Sequence, residues 1–338
     1  ASGSLGFSPL VRAEHPGRRM LRFAYLDADL DLAVDSLDVI NLFAGNYNNL
    51  TITGAGRVQG HLSVSDGFVR AGTQLSATAE NLSIDMYDIN VTGKGVVNIH
   101  TPKTKDMPLG LDVQYDQLTA TREEESAPFL IGETLHLEYR GSNFITPDPE
   151  LGLADLWDDE EARQRRADNS LSLFVDRATV PDMSALNYHL PPETALQFAG
   201  GTTQLNAELF FGEESLGGTI QLDSVSTQVQ IDEQRLKADL DIDMNLAGGN
   251  PRTFTADFTG STLRLFNVFV EGEKEKFEGD YWSTSLEVTS GEGVFTQPIE
   301  LSAESLVAVS DTRPLVTLFK NRSRTPKWLG NMMSVKNL

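Results

Sequence analysis

The 338-residue chain contains no cysteine. That excludes disulfides, thiolate zinc sites, iron–sulfur clusters and a cysteine nucleophile. An oxidising compartment stays open, because a chain without thiols is safe in either redox state. Positive charge is scarce: 27 Lys and Arg stand against 49 Asp and Glu, a net charge of −22. A surface this acidic argues against nucleic acid, or an anionic membrane face, as a broad electrostatic partner. No run of about 18 apolar residues occurs, so no bilayer-spanning helix is expected. Residues 1–7 lack the charged-then-apolar plan of a signal peptide.

Chemical motifs are equally scarce. HExxH, a GxSxG elbow and GxGxxG ahead of a helix are all missing. The five histidines, His15, His61, His100, His136 and His189, show no pair at metal-ligand spacing. Gly93-Lys94-Gly95 is a fragment of a phosphate loop that reads as a wet strand position. Aromatics are 8% of residues and form no clustered platform, which ranks a carbohydrate-active enzyme last. The expectation is therefore a non-catalytic chain with no cofactor and no metal.

What is present is period two. From Leu50 to Val64 the even positions are apolar or small and the odd ones mostly polar, the mark of a half-buried antiparallel strand. So long a run predicts a kink at one of its glycines. The same alternation continues through 89–99, 109–115, 135–139, 171–175, 205–211, 236–246, 254–258 and 282–288. Turn signals separate the runs, among them Gly200-Gly201, Gly217-Gly218 and Gly248-Gly249-Asn250. Short helices are expected at 155–167, 181–188, 315–320 and 326–333. The predicted class is mainly β: long antiparallel strands in a twisted sheet, open as a groove or closed as a sandwich, with a few short helices.

An internal repeat is visible. Leu82-Ser83-Ile84-Asp85 matches Val229-Gln230-Ile231-Asp232, and Ile89, Asn98 and Ile99 match Leu236, Asn245 and Leu246 at the same offset. The copies fall near 40–100 and 186–250. The domain reading is a first β-repeat region over 1–120, a connecting segment with a charged helix over 121–180, and a second β-repeat region over 181–338. The last residues read as a strand beginning, which predicts a piece of a longer chain.

About a dozen amphipathic strands present a broad apolar face that must leave water. Short charged helices cannot cover it. Either a second sheet packs on it, or it lines a trough for an apolar ligand. Under the trough reading, the lining comes from one phase of each strand: Ile52, Val58, Leu62, Ile84, Ile89, Val91, Leu205, Leu209, Leu240 and Ile242. The acidic ladders Asp27/Asp29/Asp31 and Asp239/Asp241/Asp243 put carboxylates about 7 Å apart on one strand face. Calcium needs ligands that converge, so the ladders read as solvated outer faces. Trp282 shares phase with Leu286 and Val288 and reads as core.

One cadence resembles a known group. Gly54-Ala55-Gly56-Arg57-Val58-Gln59-Gly60, then Gly67-Phe68-Val69-Arg70-Ala71-Gly72-Thr73-Gln74-Leu75, then Gly93-Lys94-Gly95-Val96-Val97, is similar to the AsmA/TamB-like repeating β-groove proteins of Gram-negative envelopes. Asp311-Thr312-Arg313-Pro314-Leu315 and Thr325-Pro326-Lys327-Trp328-Leu329 resemble connecting segments of that group. The resemblance implies a periplasmic body, anchored to the inner membrane by a segment outside this chain. Its apolar face would hold or guide phospholipid or another acyl lipid between membranes, with envelope membrane proteins as further partners. It implies no catalytic residue. The alternative is a structural or adhesive β-body that acts through its surface.

Overall fold

The computed structural model describes residues 1–7, 23–41, 50–65, 68–86, 88–101, 109–122, 127–141, 170–189, 196–212, 214–231, 234–251, 253–270, 282–294 and 300–310. The helices expected at 155–167, 315–320 and 326–333 lie outside these residues. The chain is mainly β, and its long strands pair antiparallel. No helix is long and apolar enough to cross a membrane among the described residues. The strands divide between two compact units. One comprises Ala1–Ala178, Ala207–Leu216 and Asn250–Arg252; the other comprises Thr179–Asn206, Gly217–Gly249 and Thr253–Leu338.

The first unit holds β1 (Ser2–Phe7), β2 (Ala24–Val34), β3 (Leu50–Thr53), β4 (Gly56–Ser65), β5 (Phe68–Val69), β6 (Gln74–Met86), β7 (Ile89–His100), β8 (Leu109–Arg122), β9 (Leu130–Gly132), β10 (Thr134–Gly141) and most of β11 (Ser170–Val180). Neighbouring strands run β1–β2–β4–β6–β7–β8–β10–β11. Strands β8, β10 and β11 thus continue this unit's sheet. β3 and β4 both pair with β6, in line with each other. The run from Leu50 to Ser65 is one strand line, broken at Gly54 and Ala55. Gly54 makes the kink: its φ is +135°, and a Cβ there would stand 2.6 Å from the Asn81 carbonyl oxygen. Only glycine accepts both conditions without strain.

β2 stops at Val34, opposite Gly56, so it gives β3 no partner on that side. The turn after β2 replaces the missing strand. Ser36 Oγ accepts the Asp38 N–H at 3.1 Å, and the Leu37 N–H donates to the Gly54 carbonyl at 2.7 Å. Asn41 then clamps the bare edge with its side-chain amide. Its Nδ2 donates to the Ile52 carbonyl at 2.8 Å, and its Oδ1 accepts the Ile52 N–H at 2.7 Å. An amide side chain satisfies backbone groups that a third strand would otherwise have to meet.

The second unit holds β12 (Leu196–Gly200), part of β13 (Thr203–Gly212), most of β14 (Leu216–Ile231), β15 (Gln234–Leu246), most of β16 (Gly248–Asn250), β17 (Thr255–Asp257), β18 (Thr262–Val270), β19 (Trp282–Val294) and β20 (Glu300–Val309). Its pairings run β12–β14–β15–β18–β19–β20. The helix expected at 181–188 is a 3-10 turn, Met183–His189. It repeats the device of the first unit. Asp182 Oδ1 accepts the Ser184 N–H at 2.9 Å, and the Met183 N–H donates to the Gly201 carbonyl at 2.8 Å. Asn187 clamps Phe198, donating to its carbonyl at 2.7 Å and accepting its N–H at 2.8 Å.

The two segments therefore share one plan. Val34, Leu37, Asn41 and Ile52 correspond to Val180, Met183, Asn187 and Phe198, each 146 residues later. The hairpin closed by Met86 and Ile89 corresponds to that closed by Ile231 and Gln234, 145 residues later. Both hairpins carry a β-bulge at the same place, at 79–82 opposite 93–95 and at 224–227 opposite 238–240. The next strand outward carries one as well. Stacked bulges put a crease across a sheet, because each one bends its strand. The letters that match at an offset of 147 sit one pleat out of the structural alignment.

Equivalent positions sit at the two creases. In the second unit the residue is Asp239, which lies between Ser226 and Asn267, two bulge residues with φ of 60° and 53°. Asp239 accepts the Ser226 N–H at 2.8 Å and the Asn267 Nδ2 at 2.6 Å. In the first unit the same position is Lys94, ion-paired with Glu80 at 3.2 Å.

Candidate functional site

In antiparallel pairing, residues directly opposite share a face, so the register sorts the apolar side chains into rows across the strands. In the first unit one row runs Val58–Ala77–Val97–Val113–Leu137. All five are buried. Tyr115 seals the crease beside them. Its ring lies over Gly95, where a Cβ would come within 3.3 Å of it, and its hydroxyl donates to the Val91 carbonyl at 3.2 Å. Burial, with the Asp85 charge second, pushes its phenol well above the usual range.

The equivalent row of the second unit is different. Leu222, Ile242, Leu263, Leu286 and Val307 stand in line across β14, β15, β18, β19 and β20. Leu222 and Ile242 are the counterparts of Ala77 and Val97, 145 residues on. The four residues from Leu222 to Leu286 are only half-buried, and Val307 is 55% exposed. The row spans four inter-strand gaps, about 19 Å at ~4.8 Å each. Beside it Ile220 pairs with Met244, also half-buried. These positions carry no charge.

On its other side the row shoulders a closed core. Met183, Phe198, Val229, Leu236, Ala238, Leu240, Leu265, Val268 and Trp282 are buried together, with Ile242 and Leu263 packed against them. The Met183–His189 turn contributes Met183 and Leu186 to this plug. Trp282 is 4% exposed and lies in the core. The face is thus filled at the turn end and open beyond Leu240.

The residues expected to line a trough fall into two groups. Ile52, Val58, Leu62, Ile84 and Leu240 are buried in the folded chain and pack on protein. Ile89, Val91, Leu205, Leu209 and Ile242 are half-buried. Of these ten, Ile242 belongs to the open row. Its companions Leu222, Leu263, Leu286 and Val307 share the same alternation, but alternation alone does not separate an open row from a packed one.

The acidic ladders sit on the opposite, wet phase. Asp31 accepts two bonds from Arg57, at 2.7 and 2.8 Å, and one from Gln59 at 3.2 Å. The Arg57 guanidinium holds its carboxyl below the usual carboxylate range. Asp29 meets His61 at 3.1 Å, and Asp241 meets Arg264 at 3.4 Å. Asp239 lies below the usual range because Asn267, and then the Ser226 N–H, bond to it.

Comparison with known proteins returns no match: no family model, no curated protein and no solved structure is similar to the chain.

Proposed function

We propose that the chain is a non-catalytic lipid-holding protein. It takes acyl chains on the open aliphatic rows of its second unit, Ile220–Met244 and Leu222–Ile242–Leu263–Leu286–Val307. The observation that carries this is the contrast between equivalent rows. The same architecture buries one row and leaves the other only half-buried, with larger side chains on the less buried copy: Leu222 for Ala77 and Ile242 for Val97. Each CH2 of a ligand that covers such a row gains about 0.8 kcal/mol. An uncharged aliphatic face suits an acyl chain and rejects a headgroup, which must remain at the rim.

The glycine–strand cadence supports placing this activity in a Gram-negative envelope, with the chain guiding lipid between membranes in the manner of the AsmA/TamB-like group. A second reading, a structural or adhesive β-body, is favoured by β20. That strand is exposed on both faces, with Leu306 and Val307 on opposite sides.

Transfer of a fluorescent phospholipid from vesicles to the chain tests the proposal. Ile242→Asp and Leu263→Asp should abolish loading, while Val91→Asp in the first unit should leave it unchanged. Loading that is indifferent to both second-unit changes, with folded protein, removes the proposed site.

A further inference from the structure

The polar face of the first unit carries a cluster that the lipid reading does not use. Asp112 on β8 stands directly opposite Glu138 on β10. His136 precedes Glu138 by two residues, which on a strand puts both on one face. One donor atom each of Asp112, His136 and Glu138 lie within 4.8 Å of one another. Partners surround them. His100 Nδ1 is 3.2 Å from Asp112 Oδ2, and Arg140 Nη1 lies 2.8 Å from His100 Nε2. The Arg140 guanidinium also meets Glu138, and it stands 3.7 Å from Asp112 Oδ1. Gly110 makes the space, because a Cβ there would overlap Arg140 and the His100 ring.

The second observation is His136 itself. Its Nε2 is sealed from solvent and has no hydrogen-bond partner among the described residues. A buried polar nitrogen left unmet is destabilising, and metal coordination is one use that offsets the cost.

We propose that Asp112, His136 and Glu138 bind a divalent transition-metal ion of the zinc, cobalt or manganese class. One imidazole and two carboxylates is a donor set these ions accept, at about 2.0–2.2 Å for zinc. The imidazole tells against calcium and magnesium, which take oxygen ligands. Rotation of the three side chains closes the remaining distance. Arg140 holds the two carboxylates together in the metal-free chain and gives way when the ion arrives. His100 bonds to Asp112 from outside and orients it, since ligating carboxylates are themselves held by hydrogen bonds. The site stands apart from the lipid reading and does not depend on it.

The test is titration of the full chain with Co2+, read by its visible absorption, and with Zn2+ by calorimetry. One saturable equivalent is expected. His136→Ala and Glu138→Gln should each abolish the cobalt band while the far-ultraviolet circular dichroism is unchanged. His100→Ala should weaken zinc roughly 10- to 100-fold, and Arg140→Met should tighten it. No saturable binding of either ion, binding that survives His136→Ala, or displacement of Co2+ by Mg2+ would overturn the proposal.

Discussion

Replacing Asn187 by alanine tests how the edge of β12 is finished. The side-chain amide makes two bonds to the backbone of Phe198, at 2.7 and 2.8 Å. Phe198 is buried, so alanine leaves one N–H and one carbonyl unmet in a tight place. Two hydrogen bonds at a net ~0.5–1.5 kcal/mol each give about 1–3 kcal/mol, with the upper half favoured by that burial. At about 1.36 kcal/mol per decade, 2–3 kcal/mol corresponds to a loss of about 30- to 150-fold in amide protection at Phe198. Hydrogen exchange followed by mass spectrometry reads this directly. Asn187→Asp keeps the acceptor and loses the donor, so it should fall between wild type and alanine. Asn41→Ala should do the same at Ile52 and leave Phe198 untouched. Unchanged Phe198 protection in Asn187→Ala would refute the idea that the amide substitutes for a strand.

Further expectations follow from packing and charge. Tyr115→Phe removes the hydroxyl bond to the Val91 carbonyl and should cost about 0.5–1.5 kcal/mol in a urea titration. Leu240 is 2% exposed, so Leu240→Ala should cost about 2–5 kcal/mol. Ile242→Ala, one pleat along the same strand and half-buried, should cost clearly less; equal costs would mean that the row is closed. Asp239 is bonded as a carboxylate and its folded pKa lies below the ordinary 3.8. Its contribution is therefore complete above the unfolded carboxyl range and is lost as the pH falls through the lower folded value. The stability gap between wild type and Asp239→Ala should be constant from pH 7 to 5 and shrink below pH 4.

Alternation alone was enough to read the strands, and the excess length of Leu50–Ser65 was enough to predict a glycine kink, which falls at Gly54. The clamps were hidden. Nothing near Asn41 or Asn187 marks an amide that will reach a backbone eleven residues away. The offset of 147 read from the letters differs from the structural offset of 145 for a physical reason. A shift of two residues keeps every inward side chain inward, so the letters still agree one pleat out of place. Phase alone selects the trough residues, and phase does not report depth. Ile84 and Ile242 alternate alike, yet one packs on protein and the other borders solvent. His136 and Glu138 were legible as a pair only through strand spacing, and Asp112 joins them only through register. Metal-ligand spacings known from helices and loops do not reveal such a set.

The account rests on the open row of the second unit, and native mass spectrometry with lipid identification tests it most directly. The full chain is expressed in cells, purified gently, weighed intact and then extracted. The account predicts a bound acyl lipid that is absent from folded Ile242→Asp protein. Folded wild-type protein that carries no lipid, or lipid retained unchanged by Ile242→Asp, would contradict it.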